Sequence, residues 1–104
     1  MKSVQCKTQW HVIVAYLWQQ KDWVPTHLLQ SIDTDFGFIG SSGEQRVREL
    51  AANSPKVMER HPELKDAVEK KREGKYEYFR FVPRSQRLCR RFDAGLPAEQ
   101  VFAA

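Results

Sequence analysis

Residues 41–50 read SSGEQRVREL, and this stretch carries the signals of a capped amphipathic helix. Ser42 with Gln45 gives the S-x-x-Q pattern of a capping box, and Ser41 with Glu44 gives the related pattern one residue earlier. In such a box the serine oxygen accepts a hydrogen bond from a free backbone amide at the helix start. The stretch therefore predicts a helix that begins close to Ser42.

The predicted helix has an inward side and an outward side. Val47, Leu50 and Ala51 are spaced i, i+3 and i+4, which places them on one apolar face toward the core. At about 100° per residue, Gln45 points the opposite way. The helix start also favours a phosphate, because its backbone amides are unpaired. The residues expected to face a ligand are Ser41, Ser42, Gln45, Arg46 and Arg48.

The segment upstream of this helix predicts two further helices. The expected elements, in chain order, are a helix over residues 8–20, an extended segment over 23–25, a short helix over 27–31 and a loop over 33–40. Thr8 and Thr26 are suitable N-caps for the two helices. Pro25 disfavours helical backbone at the residue before it, so the chain between the helices is expected to be extended.

The segment downstream predicts two strands around a basic excursion. The expected elements are a short strand over residues 56–60, a helix over 61–72, a turn at 74–75 and a strand over 76–82. Pro62 suits the start of the helix, because proline is favoured at the first helical position. The last strand is rich in aromatic residues, which favour β-structure.

Positive charge is concentrated in one part of the chain. The whole chain has a net charge of +4, whereas residues 70–91 carry nine Lys or Arg against two Glu, a net charge of +7. Clustered Lys and Arg attract phosphate, and binding of this kind weakens as the salt concentration rises. The basic residues of this segment that are expected to attract phosphate include Lys70, Lys71, Arg72 and Lys75.

These charged and aromatic residues also have purely structural interpretations. Arg48 can pair with Glu44 or Glu49 on its own helix. The basic run can be a solvated face without a ligand. Tyr76 and Tyr78 can stack on bases, although strand aromatics more often pack within the protein. Both interpretations stay open at the level of the residues.

The order of the predicted elements resembles the winged helix-turn-helix superfamily of DNA-binding domains. The resemblance is carried by residues 23–29 at the entry to the second helix, 45–50 in the third helix and 76–81 in the returning wing strand. It covers about residues 8–82. It implies an α+β fold, mainly α, with three N-terminal helices, a two- or three-stranded antiparallel wing and a C-terminal helix.

The resemblance also implies a division of the chain and a function. Residues 1–82 are expected to form the winged-helix domain, with a long basic wing at about residues 61–75. Residues 83–104 are expected to form a helical tail that packs on the domain or joins two copies into a homodimer. The third helix would lie in the major groove of double-stranded DNA, with the wing on the backbone.

The expected function is therefore sequence-specific binding of double-stranded DNA, by a transcriptional regulator or by an accessory factor of a phage or mobile element. The alternative is a winged-helix module that binds a protein partner and no DNA, because one fold serves both purposes. Both roles are non-enzymatic.

Other motifs in the sequence do not indicate catalysis or a cofactor. The P-loop and the Rossmann glycine fingerprint are missing, and the histidines lack a Cys or carboxylate at metal-ligand spacing. Cys6 and Cys89 lack zinc spacing and are expected to be reduced thiols. No stretch reaches the roughly 18 apolar residues that a membrane span requires. The sequence thus predicts a cytoplasmic protein without enzymatic activity, cofactor, metal or membrane association.

Overall fold

In the computed structural model of the protein, residues 8–82, 90, 91 and 94 are described, and residues 8–82 contain three α-helices and two antiparallel sheets. The helices are α1 (Gln9–Gln20), α2 (Gly43–Ala51) and α3 (Pro55–Arg60). The strands are β1 (Val24–Pro25), β2 (Ile32–Thr34), β3 (Gly37–Ile39), β4 (Val68–Glu73) and β5 (Tyr76–Phe81). Single 3-10 turns occupy Thr26–Leu28 and Pro62–Leu64. The predicted α+β class is confirmed.

Helix α1 forms where the sequence predicts it and supplies a large part of the core. Thr8 is extended, and its Oγ1 accepts a hydrogen bond from the backbone amide of His11 at 3.3 Å, which caps the helix start. Lys21 adopts left-handed backbone (φ 58°) and ends the helix. Neither α1 nor any other described helix is long and apolar enough to cross a membrane. The largest fully buried side chains are Phe79, Ile13, Leu17, Leu29, Ile39, Leu50, Leu64, Val14 and Val47.

The larger sheet has the order β1-β5-β4, with all neighbours antiparallel. Strand β5 is the central strand and coincides with the predicted strand over residues 76–82. Val68, Phe79 and Phe81 are buried on one face, because side chains alternate between the two faces of a strand. Gly74 has a φ of +61° and begins the predicted two-residue turn between β4 and β5. The sheet therefore covers the core with one face and leaves the other outside.

The predictions for residues 56–60 and 61–72 are wrong. Residues 56–60 belong to helix α3, because Pro55 at its start has the φ that a helix needs and the following residues favour helix. The expected helix over 61–72 is a 3-10 turn followed by β4. Asp66 breaks it with a φ of 57°, and pairing with β5 outweighs the helical propensity of the charged residues.

Of the expected long basic wing at residues 61–75, residues 68–75 form the first strand and the turn of a regular β-hairpin, β4–β5. Its basic residues lie on a strand and at a two-residue turn, without a helical excursion. Asn53 holds the entry to the hairpin. Its Oδ1 accepts from the Asp66 backbone amide at 2.9 Å, and its Nδ2 donates to Asp66 Oδ1 at 2.7 Å. This contact joins the end of α2 to the start of the hairpin.

Two upstream predictions also need correction. The expected helix over residues 27–31 is a 3-10 turn, and Thr26 does not cap it. Its Oγ1 instead donates to the backbone oxygen of Glu77 at 2.8 Å, which ties the turn to β5. The expected loop over residues 33–40 contains the β2–β3 hairpin. In both cases the local sequence pattern predicts the wrong element, because hydrogen bonds to another segment of the chain determine the structure.

The predictions for the tail fall mostly outside the described residues. These include the packing or dimer role of residues 83–104 and the state of Cys6 and Cys89. Of the predicted C-terminal helix, the structure describes Arg90, Arg91 and Ala94. The backbone amide of Ala94 donates to the oxygen of Arg90 at 2.9 Å, as in a helical turn.

Candidate nucleic-acid interface

Helix α2 packs on the core through the face that the sequence predicts. Val47 and Leu50 are fully buried. The expected capping box is wrong, because Ser42 occupies the N-cap position with a ψ of 11° and its side chain makes no capping hydrogen bond. The helix start is instead closed by backbone bonds, among them the bond from the Gly43 amide to the Gly40 oxygen at 3.1 Å. The serine hydroxyl therefore does not serve as the cap.

A cleft of about 300 Å³ opens where the three helices meet. Its lining residues are Trp10, Ser42, Gln45, Arg46, Glu49, Lys56, Val57, Arg60 and His61. Three of the residues predicted to face a ligand, Ser42, Gln45 and Arg46, are thus brought to one site. Ser42 and Gln45 are exposed, and Arg46 is half-buried.

Trp10 of α1 positions Arg46 within this cleft. The Arg46 Cζ atom lies 4.7 Å from the centroid of the Trp10 ring. The Trp10 Nε1 group donates to Glu49 Oε1 at 3.4 Å, which helps to orient the indole. A cation–π contact holds a guanidinium without neutralising its charge. The arrangement therefore presents Arg46 at the cleft wall as a positioned positive charge.

Arg48 points away from the cleft and contacts the β4–β5 hairpin. Its Nε donates to Glu77 Oε1 at 3.3 Å, and its Nη2 lies 3.9 Å from Glu44 Oε2. The pair with Glu44 is one of the structural alternatives that the sequence left open. Lys70 Nζ reaches the other oxygen of Glu77 at 3.2 Å. The hydrogen bond from Lys70, followed by the one from Arg48, lowers the pKa of Glu77 against the opposing effect of partial burial.

The predicted basic residues of the hairpin divide between its two faces. Lys70 and Arg72 alternate with Lys71 along β4, so they lie on the face that carries buried Val68. The Arg72 Nε donates to the Gly74 backbone oxygen at 3.3 Å. Lys71 lies on the outer face, so one ligand surface does not include all of these cations.

The outer face of the sheet combines cations with aromatic rings. Lys71 Nζ lies 4.8 Å from the Trp23 ring and 5.5 Å from the Tyr78 ring. Arg80 Cζ lies 4.4 Å from the same Trp23 ring. Lys71 also pairs with Glu73 at 3.1 Å, and Arg80 pairs with Glu69. Both cations thus make their contacts with side chains of the same chain, which agrees with a packing role for Tyr78.

The nine predicted site residues thus fall into separate groups. The cleft residues are Ser42, Gln45 and Arg46; the residues at the inner side of the hairpin are Arg48, Lys70 and Arg72; the outer-face residue is Lys71; and the exposed turn residues are Ser41 and Lys75. Lys75 lies near the hairpin tip, where its Nζ is 5.7 Å from the Tyr76 ring. Arg48 and Glu77 join α2 to the inner side of the hairpin, whereas the cleft residues and Lys71 stand apart from that contact.

Two cations of the cleft were missed by the sequence prediction. Lys56 and Arg60 are exposed on α3, which was expected to be a strand. On a helix they are four residues apart and share one side. The signal for this was Pro55 after Ser54, a usual start of a helix. His61 was also missed, and its ring centroid lies 5.6 Å from that of Trp10.

A pair of histidine rings lies beside the cleft. The rings of His11 and His61 meet edge to face, with centroids 4.8 Å apart. Across residues 8–82, 90, 91 and 94, however, no three His, Cys, Asp or Glu side chains are grouped so that they could hold a metal ion.

Comparisons with protein-family models, with curated proteins and with solved structures find no match to this chain.

Proposed function

We propose that the protein is a winged helix-turn-helix domain that binds double-stranded DNA with sequence preference, with α2 in the major groove and the β4–β5 hairpin on the backbone. The observation that carries this proposal is the contact between α2 and the hairpin. Arg48 Nε of α2 lies 3.3 Å from Glu77 Oε1 of β5, so the helix and the hairpin adjoin. A duplex seated on the exposed side of α2 would therefore meet cations from both elements.

The order of elements supports this assignment. Strand β1 follows α1 directly and pairs with β5, the last strand, as expected for a wing that packs beside the helices. Residues 52–54 join α2 to α3 in a connection of three residues. The link brings the cations of α3 to the same cleft as the start of α2.

The residues at the outward side of α2, exposed Gln45 and half-buried Arg46, have suitable chemistry for base recognition. The Gln45 amide can donate to and accept from adenine at once, and Arg46 can pair with guanine or with a phosphate. A good contact of this kind contributes about 1–3 kcal/mol of discrimination between bases. Arg72 and Lys75 would add attraction to phosphates that does not depend on sequence.

The test is a selection of bound sequences from a random duplex pool at low salt, followed by fluorescence anisotropy on the enriched duplex. Gln45→Ala should change the base preference at one position of the site. The double variant R72Q/K75Q should weaken binding to all sequences and lower the salt slope by roughly one for each lost phosphate contact. Lys65→Gln is the control, because Lys65 is an exposed lysine outside the cleft and the hairpin. No enrichment and no retention on DNA at low salt would contradict the proposal.

A protein-interaction module is the second candidate, and the ion pairs favour it. Arg48, Lys70 and Lys71 each pair with a carboxylate of the same chain, which weakens the field that a phosphate would meet. This function predicts a stoichiometric protein partner in a pull-down, together with no retention of the protein on a DNA column at low salt. Retention on the column would decide for DNA.

A further inference from the structure

The charges in the cleft differ from those elsewhere on the surface. Arg46, Lys56 and Arg60 all line it, and among the described residues none of the three takes part in an ion pair. On the hairpin, in contrast, Lys70 and Lys71 are both paired with carboxylates. Like charges that converge without a counter-charge repel one another. Binding of an anion to such a cluster is favourable, because the anion offsets this repulsion.

One carboxylate lies in the cleft, and its single negative charge does not neutralise the three cations. Glu49 is the acidic member among the lining residues, so the three cations leave a net charge of +2 there. Its Oε1 accepts the hydrogen bond from Trp10 Nε1 at 3.4 Å. The same indole carries Arg46, whose Cζ is 4.7 Å from the ring centroid. Glu49 thus serves the positioning of Arg46.

The donors around the cleft match a phosphate group. Two guanidinium groups and one ammonium group come from α2 and α3, and Ser42 and Gln45 add neutral donors at the same wall. Arginine presents a planar fork that fits two phosphate oxygens, and lysine supplies a compact charge. The volume of about 300 Å³ is at the small end of ligand sites. It suits a phosphate with the group attached to it better than a large ligand.

We propose that this cleft is a phosphate-binding site, in which Arg46, Lys56 and Arg60 hold the oxygens of a phosphate mono- or diester. The phosphate belongs either to a DNA backbone, in which case the site rests on the proposed function, or to a free nucleotide. The chemistry of recognition is the same for both sources. Because Arg46 and Gln45 also lie on the DNA-facing side of α2, a free nucleotide in the cleft would compete with DNA.

The experiment compares the double variant K56Q/R60Q with the control Lys65→Gln. Lys56, Arg60 and Lys65 are exposed, so the variants are expected to fold, and circular dichroism with thermal unfolding checks this. Calorimetric titrations use inorganic phosphate and adenosine monophosphate. Anisotropy measures the binding of duplex DNA over a range of salt concentrations.

Two results would support the phosphate site. In the first, adenosine monophosphate binds the wild type and the control, and K56Q/R60Q weakens its binding at least tenfold. In the second, the free phosphates do not bind, but K56Q/R60Q lowers the salt slope for DNA by about two, one for each lost cation. The first result together with no DNA binding would leave the site standing and remove the proposed function.

The opposite pattern overturns the inference. If the free phosphates do not bind and K56Q/R60Q leaves the DNA affinity and its salt slope unchanged, the cleft does not hold a phosphate. DNA binding that persists in that case would support the proposed function without this site. Absence of binding to every probe would remove both.

Discussion

Glu77 lies between two cations that come from different elements of the proposed DNA-binding surface. Its Oε2 is 3.2 Å from Lys70 Nζ on β4, and its Oε1 accepts from Arg48 Nε on α2 at 3.3 Å. Exposed pairs of this type contribute only about 0–1 kcal/mol to stability. Their main effect is therefore to orient the two cations and to reduce the positive field around them.

Glu77→Gln should raise the affinity for duplex DNA. The substitution removes one negative charge, so Lys70 loses its ion pair and Arg48 keeps only the longer pair with Glu44. We therefore expect roughly a three- to tenfold gain at low salt. The gain should shrink as salt is added, because screening weakens the attraction. Fluorescence anisotropy with one duplex over a salt series measures both effects.

Glu73→Gln is the matched control for this prediction. It removes the same charge, but Glu73 pairs with Lys71 on the outer face of the sheet. We expect a smaller change for this variant, because the outer face is not part of the proposed interface. Equal gains in the two variants would show a general charge effect, and a loss with Glu77→Gln would show that positioning of the cations matters more than the field.

The pKa of Glu77 provides a second test. It lies below the ordinary value of 4.5, chiefly because of the hydrogen bond from Lys70. A carboxyl group whose pKa is lowered in the folded state stabilises that state at pH values above its ordinary pKa. This contribution is lost as the pH falls through the folded-state pKa. An NMR titration of the side-chain carboxyl should give a midpoint below 4.5. Lys70→Gln should raise the midpoint, whereas Lys71→Gln should leave it unchanged.

The parts of the fold that could be predicted are those with strong local signals. Helix α1 has a capping threonine and a run of apolar residues at helical spacing, and α2 has a clear inward face. Strand β4 could not be predicted, because residues 69–73 favour helix when taken alone. Only pairing with β5 makes them a strand, and that pairing is not visible in the local pattern.

The candidate site could be predicted only in part for the same reason. Gln45 and Arg46 follow from the periodicity of α2, since an outward face is defined once the buried face is known. These two residues meet Lys56 and Arg60 because of the way α3 packs. They meet Trp10 because of the way α1 packs against α2. Ion pairs such as Arg48 with Glu77 join residues 29 apart in the chain and are equally invisible to local spacing.

Gly43→Ala should destabilise the protein strongly. A Cβ at Gly43 would lie 1.7 Å from the backbone oxygen of Leu29 and 2.6 Å from a methyl group of Ile39, so α2 could not keep its position. We expect a loss of at least about 3 kcal/mol in the free energy of unfolding, the upper range for overpacking. Gly40→Ala is the control, because the nearest atom that a Cβ at Gly40 would meet, Gln9 Oε1, is 3.7 Å away. Urea unfolding of both variants measures the difference, and similar losses would contradict the close packing at Gly43.

Trp10→Leu should weaken ligand binding through Arg46, which keeps its charge but loses the ring that positions it. Ordering a long side chain on binding costs about 0.5–1.5 kcal/mol, so we expect a loss of roughly two- to tenfold in duplex affinity. Trp18→Leu is the control on the same helix, because Trp18 is also half-buried and carries a cation, Lys21, at 4.9 Å. Both variants should lower the melting temperature, since each loses a large packed ring. Anisotropy should separate them, and an equal loss of affinity in the two variants would mean that Trp10 acts through the stability of α1 and not through Arg46.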